Sequence, residues 1–128
     1  MIDGAKVLVL VADDNEGIRN TSAAILRAVG YSVTEAQDGV EALEELSQKP
    51  FDVVLLDVRM PRLDGISVVT DLSPTPPPPQ IVMVSAYDFG ADLRQLLGDR
   101  VFRYLKKPAP PKDLIGAVSA ACDRILPP

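Results

Sequence analysis

The sequence contains no histidine, which removes the commonest general base and any phosphohistidine of its own. A single cysteine, Cys122, leaves no partner for an intramolecular disulfide and no thiolate cage for a metal. Its apolar-periodic surroundings mark it as a small core residue. Lys and Arg are nowhere clustered and the net charge is -5, which argues against a surface that neutralises nucleic-acid phosphates. The acidic balance serves solubility, with part of it available to a site. No apolar run approaches a bilayer span. Residues 7–12 are far too few and lack the basic leader of a signal peptide, so a cytoplasmic protein off the membrane is the expectation. Neither a Gly-rich dinucleotide fingerprint nor a P-loop occurs.

What is present suits one ordinary folded domain of 128 residues: 47% of the chain is apolar and only 24% is charged. Short apolar runs alternate with segments of helical period. Residues 7–11 (VLVLV) are continuously apolar, as a strand buried on both faces requires. Ile18, Ser22, Ile25 and Val29 then recur at helical steps and end at Gly30. Residues 31–36 alternate and predict a weaker, more exposed strand. Val40, Leu43 and Leu46 mark a second helix that Pro50 closes. Residues 52–56 (DVVLL) form a third strand running into Asp57. A short helix over 65–72 precedes SPTPPPPQ, residues 73–80, where consecutive prolines predict an extended loop. Strands over 81–84 and 101–105 enclose a helix over 91–97, bracketed by Gly90 and Gly98. Pro110 and Pro111 open a last helix with Leu114, Val118, Ala121 and Ile125 on one face.

Five strand–helix pairs predict an α/β fold with a parallel sheet and helices on both faces, since each parallel connection needs a right-handed crossover. For five strands the expected doubly wound order is the flavodoxin-like 2-1-3-4-5, with its site beyond the carboxyl ends of the strands. Those ends carry Asp13-Asp14, Asp57, Ser85 and Lys106-Lys107-Pro108. Strands one and three would be neighbours, so three carboxylates converge, repel and raise one another's pKa. A hard divalent cation relieves that, and Mg2+ fits carboxylates, waters and phosphate oxygens. An aspartate can accept a phosphoryl group as an acyl phosphate, while a cation and a lysine stabilise the transferring oxygens. Singly, each residue has a plain structural reading as well. The acidic pair suits a helix N-cap, Lys107 a surface lysine, Ser85 a strand end and Tyr104 a half-buried strand aromatic.

The blocks VADDN, LLDVRMPRLDG, VSA and YLKKP resemble those of response-regulator receiver domains, over essentially the whole chain. The resemblance implies a single receiver domain over residues 1–128, with 126–128 either a tail or the start of a linker. It implies Asp57 as phosphoacceptor, Asp14 as direct Mg2+ ligand, Asp13 as a ligand through water and the Arg59 main-chain carbonyl as a further ligand. Lys107 corresponds to the phosphoryl-binding lysine, before a peptide that is usually cis in this family. Ser85 and Tyr104 correspond to the switch pair. The implied partners are a histidine kinase or a histidine phosphotransfer protein, and an output partner or a second copy on the face of the fourth helix, fifth strand and fifth helix. Such a chain is a signalling phosphoacceptor rather than an enzyme, although it assists its own phosphorylation and slow autodephosphorylation.

Two bulky residues depart from the usual pattern. Arg59 and Tyr87 stand two positions after Asp57 and Ser85, flanking the route of the hydrolytic water in this family, and predict a slow loss of phosphate. The alternative is a receiver-like interaction module that works without phosphate. Enzymes of related architecture fit poorly. A haloacid-dehalogenase-type phosphatase wants a carboxylate where Arg59 stands, and FMN binding wants a hydroxyl- and Gly-rich loop where the chain has ADDNEG.

Overall fold

The computed structural model describes residues 7–72 and 78–125. Five strands, β1 (Leu8–Ala12), β2 (Ser32–Ala36), β3 (Val53–Asp57), β4 (Gln80–Ser85) and β5 (Arg103–Lys106), alternate with five helices. These are α1 (Glu16–Ala28), α2 (Gly39–Gln48), α3 (Gly65–Asp71), α4 (Ala91–Leu97) and α5 (Pro111–Ile125). All strand pairs are parallel and the order is β2-β1-β3-β4-β5, the doubly wound arrangement expected. Register pairs Ala12 with Leu56 and Asp57 with Val84, so the ends of β1, β3 and β4 lie side by side.

The period-two alternation of the central strands splits the core between the two faces of the sheet. Leu10, Val54, Leu56, Ile81 and Met83 pack with Ala42, Val68 and Leu97 on the side of α2, α3 and α4. Val9, Val11, Leu55 and Val82 pack with Leu26, Leu114 and Val118 on the side of α1 and α5. Every residue of β3 is buried, whereas β2 is partly exposed over most of its length, as its polar alternation suggested. Cys122 is a buried residue of the α5 face.

Several details differ from the periodicity reading. In α1 the buried residues are Ala23 and Leu26, while Ile18 and Val29 remain exposed. The small Ala23 carries little hydrophobic signal, so the larger flanking residues suggested a stripe turned off the true one. A 3-10 turn over Gly98–Arg100 follows α4, with Gly98 at φ 53, and delays β5 to Arg103. Of the proline-rich stretch, residues 73–77 lie outside the described residues, and β4 begins at Gln80, directly after Pro79. The Ile125 side chain also lies outside them.

Helix α4 is the least fastened element of the site-bearing half. It has seven residues, Gly90 at its N-cap makes no side-chain hydrogen bond, and only Leu97 is buried. With so few apolar contacts, local opening is cheap there. Amide hydrogen exchange should therefore release residues 91–97 well before the amides of α5. Equal protection over 88–98 and in α5 would contradict this.

Candidate functional site

The site grows from three strand ends. Asp13 directly follows β1; its N–H donates to the Ala36 carbonyl at 3.1 Å, which carries the β1–β2 ladder one residue further. Its Oδ1 accepts the Asn15 N–H at 2.9 Å. Asn15 itself caps α1, accepting from the Ile18 N–H at 3.0 Å. The cap is thus Asn15, and Asp14 is left as an exposed carboxylate beside the pocket formed with Arg59, Met60 and Asp64. Asp57 closes β3 at 7% exposure. One oxygen from each of Asp13, Asp14 and Asp57 lies within 4.8 Å of the others, a set of hard oxygen donors suited to a divalent cation.

Lys107 reaches this cluster from beyond β5. Its Nζ lies 2.7 Å from Asp13 Oδ2 and 3.3 Å from Asp57 Oδ2, with only 15% of the side chain exposed. The Lys107–Pro108 peptide is cis, and the Lys107 N–H donates to the Ser85 carbonyl at 2.7 Å. Lys106 points elsewhere and pairs with the exposed Asp88 at 2.5 Å.

Asp57 is the perturbed group. Burial, and then the negative charge of Asp13, raise its pKa from the ordinary 3.8 to about 6, against the opposing pull of Lys107. Burial disfavours the charge of Lys107, yet its hydrogen bond to Asp13 and the charges of Asp57 and Asp13 outweigh that and raise its pKa. The ammonium therefore stays protonated, partly neutralising two carboxylates.

Ser85 is 3% exposed at the end of β4, and its Oγ accepts the Tyr87 N–H at 3.1 Å. Tyr104, on β5, packs its ring 4.7 Å from Phe89, with the Arg94 guanidinium 4.4 Å from its centroid. Its hydroxyl is buried without a hydrogen-bond partner, and burial raises its pKa. Arg59 and Tyr87, read separately from sequence as bulky, are in contact: the guanidinium lies 4.2 Å from the ring centroid. A cavity of about 670 Å³ opens from Asp13, Asp57 and Lys107 between α1 and α5, past Ile18, Ile25 and Leu114.

Supporting residues were missed from sequence. Arg19 donates from Nη1 to the Asp13 carbonyl at 2.9 Å and holds Glu35 at 3.3 Å. Nothing in its spacing singles out one arginine among the polar residues of α1. Asn15 had a detectable signal, a favoured capping residue directly before a helical run. Gly65, at the start of α3, lies against the end of β3, since an added Cβ would meet the Asp57 carbonyl oxygen at 2.2 Å. Asp64 caps α3, accepting the Ser67 N–H at 2.8 Å.

The response regulator receiver domain model matches residues 9–119. This chain belongs to that family. It is 37% identical over 121 residues to the response regulator MprA of Mycobacterium sp. (strain KMS), covering 94% of this chain and 53% of that protein. The chain thus spans about half the length of the curated relative it matches. Among solved structures, the receiver domain of Francisella response regulator 1452 superposes with a TM-score of 0.85 at 31% identity, covering 94% of this chain and 100% of that one. A Burkholderia pseudomallei response regulator, solved with a phosphorylated aspartic acid, calcium ion and citrate, gives 0.79 at 25% identity, covering 94% and 71%. Receiver domains are signalling domains, and none of the described helices of this receiver is long and apolar enough to cross a membrane.

The raised Asp57 pKa has a signed consequence. The folded protein binds this proton more tightly than the unfolded chain, so the stability it contributes is present below 3.8 and lost as pH rises through about 6. In divalent-free buffer, Asp57→Asn should remove this loss and melt above wild type at neutral pH. Thermal melts of both proteins from about pH 4 to about pH 8 check it; parallel profiles would contradict it.

Proposed function

We propose that this receiver accepts a phosphoryl group on Asp57 from a histidine kinase or histidine phosphotransfer protein. The observation that carries the reading is the convergence of Asp13 and Asp57 on one ammonium, at 2.7 and 3.3 Å from Lys107 Nζ. A fold has no stabilising reason to bury two like charges together, and such a cluster is conspicuous as a reaction site. Asp13, Asp14, Asp57 and the main-chain carbonyl of Arg59 would hold Mg2+, Asp14 directly and Asp13 through water. When bound, the ion supplies positive charge that lowers the Asp57 pKa and neutralises phosphoryl oxygens.

Asp57 must be ionised to attack, and a pKa of about 6 leaves most of it so at neutral pH. A carboxylate oxygen of Asp57 bonds to phosphorus, the donor's phosphorus–nitrogen bond breaks, and the imidazole leaves with the electron pair. Lys107 follows the oxygens of the arriving group, exchanging part of its contact with Asp13 for the phosphoryl charge. The apolar groove between α1 and α5 adjoins the acceptor and suits a donor helix carrying the phosphohistidine.

The switch is assigned to Ser85 and Tyr104. The Ser85 hydroxyl would leave the Tyr87 amide and donate to a phosphoryl oxygen, and Tyr104 would follow into the space it vacates. The output partner, or a second copy of the chain, would read the face of α4, β5 and α5. Arg59 and Tyr87 cover the approach of the hydrolytic water.

Intact mass after incubation with acetyl phosphate and Mg2+ tests the reading: wild type should gain one phosphoryl group and Asp57→Asn none. Absence of an adduct on wild type would sink it and leave the interaction module that works without phosphate. A second measurement addresses lifetime. Arg59→Asn combined with Tyr87→Ala should hasten loss of the phosphoryl group by roughly tenfold, about 1.4 kcal/mol of barrier; an unchanged half-life would refute the shielding role.

A further inference from the structure

The loop joining β3 to α3 is fastened at both its base and its tip. At the base, the Gly65 N–H donates to the Val58 carbonyl at 2.8 Å. At the tip, the Leu63 N–H donates to the Pro61 carbonyl at 2.7 Å and closes a three-residue turn on Arg62, whose φ is 69. Turns of this hand are rare and strained, and a residue with a Cβ seldom centres one. Something must hold Arg62 there.

Two adjacent residues at the start of α2 do so. Arg62 Nε lies 3.5 Å from Oδ2 of Asp38, whose side chain is only 6% exposed. Gly39 lies directly beneath the turn, where an added Cβ would fall 1.8 Å from the Leu63 carbonyl oxygen. The other oxygen of Asp38 caps α2, accepting the Glu41 N–H at 2.8 Å. Asp38 and Gly39 thus form a seat, rigidly attached to α2, that receives Arg62 and Leu63. An exposed arginine at this distance contributes little as a lone surface pair. Its carboxylate partner is buried, however, and loses this ion pair if Arg62 is removed.

The seated loop carries the Arg59 carbonyl, three residues before the turn and two after Asp57. Mg2+ demands near-octahedral geometry at short distances, so it tolerates little displacement of a carbonyl ligand. We infer that Asp38, Gly39 and Arg62 are positioning residues of the phosphorylation site, holding the β3–α3 loop so that the Arg59 carbonyl is presented to the cation. The inference rests on the reading of Asp13, Asp14, Asp57 and Arg59 as the Mg2+ site.

Arg62→Gly separates this role from a structural one. Glycine relieves the positive-φ strain while deleting the anchor. Without divalent ions, the variant should melt close to the wild-type temperature, since relief of the strain offsets loss of the ion pair. The Mg2+ concentration giving half-maximal thermal stabilisation should rise about tenfold, the lower end of what loss of an outer support costs a metal site. Asp38→Asn keeps a good helix cap but removes the charge, and should shift the Mg2+ midpoint in the same direction; it decides the matter if Arg62→Gly does not fold. Wild-type Mg2+ midpoints in the variants would overturn the inference. A wild type that Mg2+ does not stabilise would instead overturn the cation site itself, and the inference with it.

Discussion

Two carboxylates share one ammonium at the end of a buried parallel sheet, and most of the molecule's organisation answers to that contact. Parallel strands in the order β2-β1-β3-β4-β5 put the ends of β1 and β3 side by side, which brings Asp13 against Asp57. Their repulsion and burial are visible in an Asp57 pKa of about 6. Relief comes from the far side of the sheet: β5 ends two strands away from β3, and Lys107 lies just beyond it, able to touch both carboxylates. A buried cluster of this kind is a weak way to stabilise a fold, because desolvation offsets much of the attraction. Its value lies in being one cation short. Three carboxylates against one ammonium leave a deficit that a divalent ion and an incoming phosphoryl group can rebalance together.

The same contact ties Asp57 to the edge of the sheet. The Lys107 N–H is bonded to the Ser85 carbonyl, Ser85 pairs in register with Lys106, and Tyr104 stands on the same short strand. A shift of the Lys107 side chain toward new negative charge would therefore act within the β4–β5 pair that bears Ser85 and Tyr104, the pair proposed as the switch. Tyr104 is held on its other side by Phe89 and Arg94, while its buried hydroxyl has no partner. An unpaired buried hydroxyl is costly, so the observed position of Tyr104 is poorly stabilised at that atom. Small changes at Ser85 can then redistribute it.

The central strands and the strand-end residues were legible because their signals are strong and local. Continuous apolar runs identify β1 and β3, and charged residues ending such runs have few structural explanations; Asp57 is the clearest case. The acidic pair was less decipherable. Either member could have capped α1, and only the backbone shows Asn15 in that role. Side-chain contacts left no trace in spacing: Arg19 on the Asp13 carbonyl six residues back, Arg62 on Asp38, Arg59 on Tyr87. The last two pair a long polar side chain with a partner brought near by the fold. Periodicity also misjudged α1, because a small buried alanine is a fainter marker than an exposed isoleucine.

A difference in fastening separates the two sides of the site. On the acidic side, Arg19 fixes the Asp13 main chain, Asn15 fixes the start of α1, and the β3–α3 loop is closed at its base and seated at its tip. On the other side stands α4, short, uncapped by any side chain, and with one buried residue. Charge arriving between a rigid wall and a loose one produces displacement in the loose one, since the free-energy cost of moving is lower there. Under the proposed reading, the rigid wall would keep the cation geometry while the signal passed outward through β5 to α4. That asymmetry would let Asp57 serve both as a chemically exacting acceptor and as the origin of a conformational change.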